Sequence, residues 1–185
     1  MKSPELEYQP ESIVEKVDFS GGESYKRFVE IADGWPNYTE SVKNLASNER
    51  AVSYVAEIDG QTAGIATLML EGWENDQIIL ENFPNLPELS GLQVNEEYRG
   101  LGVGTKLVKT LENEAKKLGV ELIGLGVEVE NEDAINLYKK LDYKIEKVAG
   151  QDYFETHWTE KNENGEPYEY NAKCYLMLKN LGESI

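Results

Sequence analysis

The chain has 185 residues, 40% of them hydrophobic and 29% charged, which is enough for one compact α/β domain with its own core and short for two. Its formal charge of −17 repels phosphate backbones and anionic lipid, which argues against nucleic-acid and membrane partners, and it would concentrate cations such as protonated amines. No run reaches the roughly 18–20 apolar residues that cross a bilayer, and no apolar stretch follows Met1-Lys2-Ser3-Pro4-Glu5 as a signal peptide requires.

The first ~20 residues are polar, with a short strand expected at Ile13–Val17. Tyr25, Phe28, Val29 and Ala32 fall near helical spacing, so Glu23–Ala32 reads as a helix that Gly34-Trp35-Pro36 breaks. A second helix is expected at Thr39–Ala46. Ala51–Ile58 and Gln61–Leu70 read as paired strands, because Asp59-Gly60 between them is a two-residue hairpin signal. Glu71–Pro87 reads as irregular, with Pro84 and Pro87 fixing turns, and Leu89–Val94 is an apolar strand.

A glycine-rich loop follows, Arg99-Gly100-Leu101-Gly102-Val103-Gly104, and after it the clearest helix. Leu107, Val108, Leu111, Ala115 and Leu118 make its apolar stripe, Lys106, Lys109, Glu112, Lys116 and Lys117 cover the other faces, and Gly119 ends it. Val120–Val129 is a strand interrupted by Gly124 and Gly126, a sign of a bulge or a close backbone approach. Asn131 can cap a helix over Glu132–Leu141, with Ile135, Leu137, Tyr138 and Leu141 on or near its buried side. Tyr143–Val148 is a strand, Gln151–Tyr170 a long loop or hairpin arm, and Lys173–Lys179 the closing strand. This succession predicts a mixed sheet with helices packed on it.

Three glycines in five residues between a strand and an amphipathic helix make an anion site. Backbone N–H groups can approach a ligand closely, and the first helical turn offers unpaired donors and the positive end of the dipole. Arg99 could add a charge at its entrance. The spacing fits neither GxGxxG nor a P-loop: Gly100, Gly102 and Gly104 are two apart, and Gly104-Thr105-Lys106 reverses the GK[ST] order. One histidine, His157, and one cysteine, Cys174, give no metal cluster and no internal disulfide, which fits a reducing cytoplasm and no metal cofactor.

Here the sequence resembles the GNAT superfamily of N-acetyltransferases. Arg99, Gly102 and Gly104 match its cofactor loop, Arg/Gln-x-x-Gly-x-Gly/Ala. Asn131, Ala134, Leu137 and Tyr138 match a second segment, Asn-x-x-Ala-x-x-Leu-Tyr, with Asp142-Tyr143 where the family has a Gly-Phe pair. The resemblance is strong over about residues 88–145 and architectural elsewhere. It implies one α/β (α+β) domain over 1–185 with a mostly antiparallel mixed sheet of about 6–7 strands and about four helices. Strands four and five would splay, and acetyl-coenzyme A would insert between them as co-substrate. Its pantetheine arm would pair with Leu92, Gln93 and Val94. Its pyrophosphate would rest on Arg99, Gly100, Leu101, Gly102, Val103, Gly104 and Thr105, and Asn131, Ala134, Leu137 and Tyr138 would hold the other side. Acceptor-site elements would come from about residues 20–50 and 150–179.

Acetyl transfer to an amine needs a neutral nucleophile, yet an amine of pKa ~10.4 is neutral in only about 1 in 2,500 molecules at pH 7. A base is therefore needed, together with an oxyanion donor and an acid for the leaving thiolate. Tyr138, at the family's tyrosine position, is the candidate acid. Some relatives carry a glutamate base where this chain has Gly126, so Glu88 at the start of strand four is the candidate base, ahead of Glu81, Glu71 and Glu128. Trp35, Tyr38, Trp73, Tyr153 and Trp158 could line an apolar or cation-binding acceptor pocket or anchor the edge of the core. Cys174 reads as a packed thiol and His157 as structural. The expected partner is a small-molecule or peptide amine, of a cationic kind on charge grounds, acting on a monomer or homodimer. The competing reading is a GNAT-like module that binds coenzyme A without catalysis.

Overall fold

The computed structural model describes residues 11–35, 37–73 and 76–182. Its elements are β1 (Ser12–Lys16), α1 (Glu23–Ala32), α2 (Tyr38–Ser47), β2 (Ala51–Ile58), β3 (Gln61–Met69), α3 (Gln77–Asn82), β4 (Glu88–Val94), α4 (Val103–Lys117), β5 (Leu122–Glu128), α5 (Glu132–Lys140), β6 (Lys144–Glu146), β7 (Phe154–Lys161) and β8 (Pro167–Asn180). A single 3-10 turn at Glu96–Tyr98 leads from β4 toward α4. The strands form one sheet in the order β1-β2-β3-β4-β5-β8-β6, and β7 pairs with the first half of β8. All pairs are antiparallel except β4 with β5. The expected mixed sheet is present, with eight strands and five α-helices among the described residues.

Local signals account for most boundaries. Asp59 and Gly60 both take positive φ, +51° and +76°, and Ile58 pairs with Gln61, so the two-residue hairpin forms as the sequence suggests. Asn131 caps α5, its Oδ1 accepting from the Ala134 N–H at 3.1 Å. Gly119 follows α4 at φ +78°. Pro36, the last residue of the expected break after α1, and the residues before 11 lie outside the described residues.

Three expectations need correction. Leu118 is not on the buried stripe of α4: it is the residue that caps the helix end and is 54% exposed. Glu112, assigned to a solvent face, is buried, because Lys179 of β8 donates to its Oε2 at 2.8 Å and the pair closes the core beside Tyr143. The segment Glu71–Pro87 is not wholly irregular but contains α3, a helix too short to show a period. The arm expected over Gln151–Tyr170 is the β7–β8 hairpin.

Two helices cover each face of the sheet's centre. α4 and α5 pack Val103, Leu107, Val108, Leu111, Ile135 and Tyr138 onto β2–β5 and β8. On the opposite face α1 and α2 bury Phe28, Ile31, Val42 and Leu45 against Val55, Ile65 and Met69. A third cluster joins Trp73, Ile79 and Leu86 to Phe154, Cys174 and Leu176, and so roots the β7–β8 arm beside the open end of β4 and β5.

Candidate active site

The site begins with a fault in β4. Ile65 pairs with Gln93 and Thr67 with Ser90, so Gly91 and Leu92 together oppose the single Ala66. Such a bulge bends its strand and leaves backbone groups unpaired. Gly91 sits at φ +60°, and a Cβ there would collide with the Tyr38 hydroxyl, so both conformation and space demand glycine. β4 keeps register with β5 at one pair, Glu88 with Gly124, reinforced by the Gly124 N–H donating to the Pro87 carbonyl at 3.0 Å. Beyond that pair the strands part, and a cavity of about 630 Å³ occupies the opening.

Glu88 lies at the apex of this V. The backbone N–H of Trp73, itself held at φ +70°, donates to Glu88 Oε2 at 3.2 Å. Burial pushes the Glu88 carboxyl up to about 7, and the nearby Asp76 carboxylate pushes the same way. The Trp73 N–H and the Ser90 hydroxyl only partly oppose the rise. A carboxyl balanced near neutrality is the property a general base needs at physiological pH.

The cavity walls come from segments distant in sequence. Trp35, Asn37 and Tyr38 approach from the α1–α2 turn, and Glu71, Trp73 and Asp76 from the connection before α3. Gly126, Val127 and Glu128 come from β5, and Phe154, Thr156, His157, Trp158, Glu169 and Cys174 from the hairpin. Among these described lining residues no lysine or arginine occurs, and His157 is the one group able to carry a positive charge. Asp76 is pushed up by burial, Thr156 and His157 oppose the shift, and its Oδ1 is buried without a hydrogen-bond partner among the described residues. Glu128 accepts from the Tyr170 hydroxyl at 2.9 Å, an interaction that pushes the phenol up to about 12. Burial pushes the Cys174 thiol up to about 12, so it is a neutral, packed group at pH 7.

The opposite wall belongs to α5. Tyr138 is 6% exposed, edge-on to Tyr143 at 5.6 Å, and lines the cavity together with Asn131, Ala134 and Leu92. Burial raises its phenol further above the ordinary range, so it is protonated at any physiological pH. The glycine-rich loop lies outside the cavity, where α4 begins. Gly102 caps α4 in the left-handed conformation at φ +81°, and no atom lies within 4 Å of where its Cβ would be. The first-turn N–H groups of this fifteen-residue helix have no acceptor within the helix and sit at the positive end of its dipole. Gly104 is needed for another reason: a Cβ there would meet Leu137 at 3.3 Å, and its absence lets α4 pack closely on α5. Arg99 stays exposed, donating from Nε to the Val94 carbonyl at 3.3 Å beside Glu96.

The structure therefore brings Glu88, Leu92, Asn131, Ala134 and Tyr138 to one cavity, and sets Arg99 through Thr105 at the helix opening nearby. Gln93 and Val94 stand on β4 past the bulge, and Leu137 supports Gly104. Of the aromatic candidates, Trp35, Tyr38, Trp73 and Trp158 line the cavity; Tyr153 does not, lying under Lys173 instead. Glu81 is exposed and engaged with Gln77 on α3, and Glu71 is paired with Arg50. Gly126 has a structural reason: a side chain there would press on Phe154 at 3.3 Å and then on Trp73. Sequence reading missed Asp76, Phe154 and the Trp73 N–H. Only the positive φ of Trp73 and the packing of β7 bring them in, and neither has a sequence signature.

The profile of the acetyltransferase (GNAT) family matches residues 22–143. An N-alpha-acetyltransferase of Sulfurisphaera tokodaii is 35% identical over 128 residues, 66% of this chain and 73% of that protein. A Salmonella typhimurium acetyltransferase, YncA, solved with its cofactor acetyl-CoA, superposes with a TM-score of 0.64 at 17% identity over 95% of this chain and 96% of its own. The ribosomal-protein-S18-alanine N-acetyltransferase of Escherichia coli superposes with a TM-score of 0.61 at 18% identity, over 94% and 96% of the two chains. A bulged β4 parting from β5, a glycine-capped helix beside the gap and a profile match over most of the chain agree: the protein belongs to the GNAT family of acetyltransferases.

Proposed function

We propose that the protein is an acetyl-coenzyme A-dependent N-acetyltransferase that moves the acetyl group to a primary amine by direct attack in a ternary complex. The observation that carries this reading is the cavity where the bulged β4 parts from β5, lined by both Glu88, which burial raises to about 7, and the protonated Tyr138.

In this mechanism the amine arrives as an ammonium and gives one proton to the Glu88 carboxylate, directly or through a water. Its lone pair then forms the C–N bond. A backbone N–H of the β4 bulge, at Leu92, donates to the carbonyl oxygen as negative charge grows there. The C–S bond breaks, Tyr138 gives its proton to the departing thiolate, and the surplus proton on the new amide nitrogen returns to the tyrosine. The net change is an amide, a free thiol and one released proton. The residues that would hold coenzyme A are the first-turn amides of α4 with Arg99 for the diphosphate, and Leu92, Gln93, Val94 and Asn131 for the arm. The fit rests on the open space at Gly102 and the strand edge left unpaired above Glu88.

The acceptor in this reading is an amine that binds as a cation, a small molecule or a peptide terminus, drawn by a wall without lysine or arginine. The decisive experiment is release of free thiol from acetyl-coenzyme A with a panel of amines, followed by mass spectrometry of the products. Thiol release with a mass gain of one acetyl group supports transfer. Binding of coenzyme A by calorimetry without thiol release would leave only a non-catalytic module, and no binding at millimolar ligand would defeat the proposal entirely.

A further inference from the structure

A base that takes a proton from its substrate also removes the charge that attracted it. Once Glu88 has deprotonated a simple amine, the acceptor is neutral and offers the other carboxylates of the cavity no charge in the transition state. Of these, Glu71 is paired with Arg50 and Glu169 accepts from Thr159, which leaves Asp76 and Glu128. They come from different elements, the connection before α3 and the end of β5; both raise the Cys174 thiol, and Asp76 is also near enough to Glu88 to oppose its ionisation. Thr156 and His157 already act on the Asp76 carboxyl, but its Oδ1 is buried with no hydrogen-bond partner among the described residues, an arrangement that costs free energy unless a donor arrives. Glu128 has a donor, the Tyr170 hydroxyl, on one oxygen, and makes no salt bridge among the described residues. The space beside them is bounded by the rings of Trp73 and Phe154, 6.0 Å apart, which suit a methylene chain.

We infer that the acceptor is a dication, a linear diamine whose second ammonium is held by Asp76 and Glu128 while the first reacts at Glu88. This rests on the proposed acetyl transfer and narrows its substrate. The second nitrogen keeps its proton throughout, so its attraction persists as the C–N bond forms and the C–S bond breaks. Binding energy of that kind, far from the reacting atoms, helps orient the nucleophile.

The test compares diaminobutane with n-butylamine, equal in chain length and different by one charge. Expected is a kcat/KM at least about tenfold higher for the diamine in the unmodified protein. Glu128→Gln should remove about tenfold or more of that advantage and leave n-butylamine within about twofold, whereas Asp76→Asn, which also changes the field on Glu88, should remove as much of it when read as the ratio of diaminobutane to n-butylamine kcat/KM. Two variants on different elements guard against one failing to fold. Equal use of both amines, or a preference for a peptide N-terminus with uncharged side chains, overturns the inference and leaves acetyl transfer standing. If no amine releases thiol, calorimetry on the coenzyme A-saturated protein decides, and diaminobutane binding no tighter than n-butylamine overturns it. Failure to bind coenzyme A at all would instead strike the underlying proposal.

Discussion

Glu88 carries a cost alongside the role proposed for it. Its carboxyl is raised from 4.5 to about 7 mainly by burial, so the folded protein holds a proton there that the unfolded chain has lost. The stabilising effect of that proton is complete below pH 4.5 and is lost as pH rises through about 7. Glu88→Gln keeps an acceptor for the Trp73 N–H without the charge, and should stabilise the protein at pH 8 by about 1–3 kcal/mol, with the gain fading toward pH 4. Denaturant melts at the two pH values measure this. The same substitution should lower kcat by about 10²-fold and erase the bend near pH 7 in the pH–rate profile. Tyr138→Phe should lower kcat by about tenfold or more with coenzyme A affinity held within about threefold, as read by single-turnover kinetics and calorimetry. Residue identity was legible at both positions, but only their motif places marked them. The burial that tunes Glu88 depends on Trp73, Leu89 and Asp76, which meet it through tertiary packing.

At the scale of elements, the glycine-capped opening of α4 is the feature most visible in the sequence. The cap conformation at Gly102 is left-handed, which an L-residue with a Cβ adopts at a cost of roughly 1–2 kcal/mol. Gly102→Ala should therefore lower stability by about 1 kcal/mol and weaken coenzyme A binding by about tenfold or more, because the first-turn amides would turn away from the ligand. Calorimetry and thermal melts of the variant check both. Asn131→Ala removes the α5 cap and should cost about 1 kcal/mol. Long amphipathic helices and the Asp59-Gly60 hairpin were readable because their signals are local: period, cap and turn chemistry lie within a few residues. α3 and the bulge in β4 were not. A six-residue helix shows no period, and a bulge is defined by the partner strand, here the single Ala66 opposite Gly91 and Leu92.

For the whole molecule, the side of the cavity where an acceptor is proposed to bind is closed by contacts spanning more than a hundred residues. The Lys161 N–H donates to the Gly34 carbonyl at 3.1 Å, its ammonium meets Asp33 at 2.6 Å, and Asn37 donates to Thr159 at 3.0 Å. Together they tie the β7–β8 hairpin to the α1–α2 turn across the cavity. Removing the two side-chain ties in Lys161→Ala/Asn37→Ala should raise the acceptor KM about threefold to tenfold and leave coenzyme A binding unchanged, as steady-state kinetics and calorimetry would show. The amino-acid order by itself determined the fold family, the glycine-rich loop that opens α4 and the tyrosine of α5, since each is written in residues that are neighbours along the chain. How far Glu88 is desolvated, where β4 leaves β5 and which carboxylates line the cavity were decided only when distant segments packed together. Desolvation and strand pairing are properties of the surroundings, and a linear sequence does not display its surroundings.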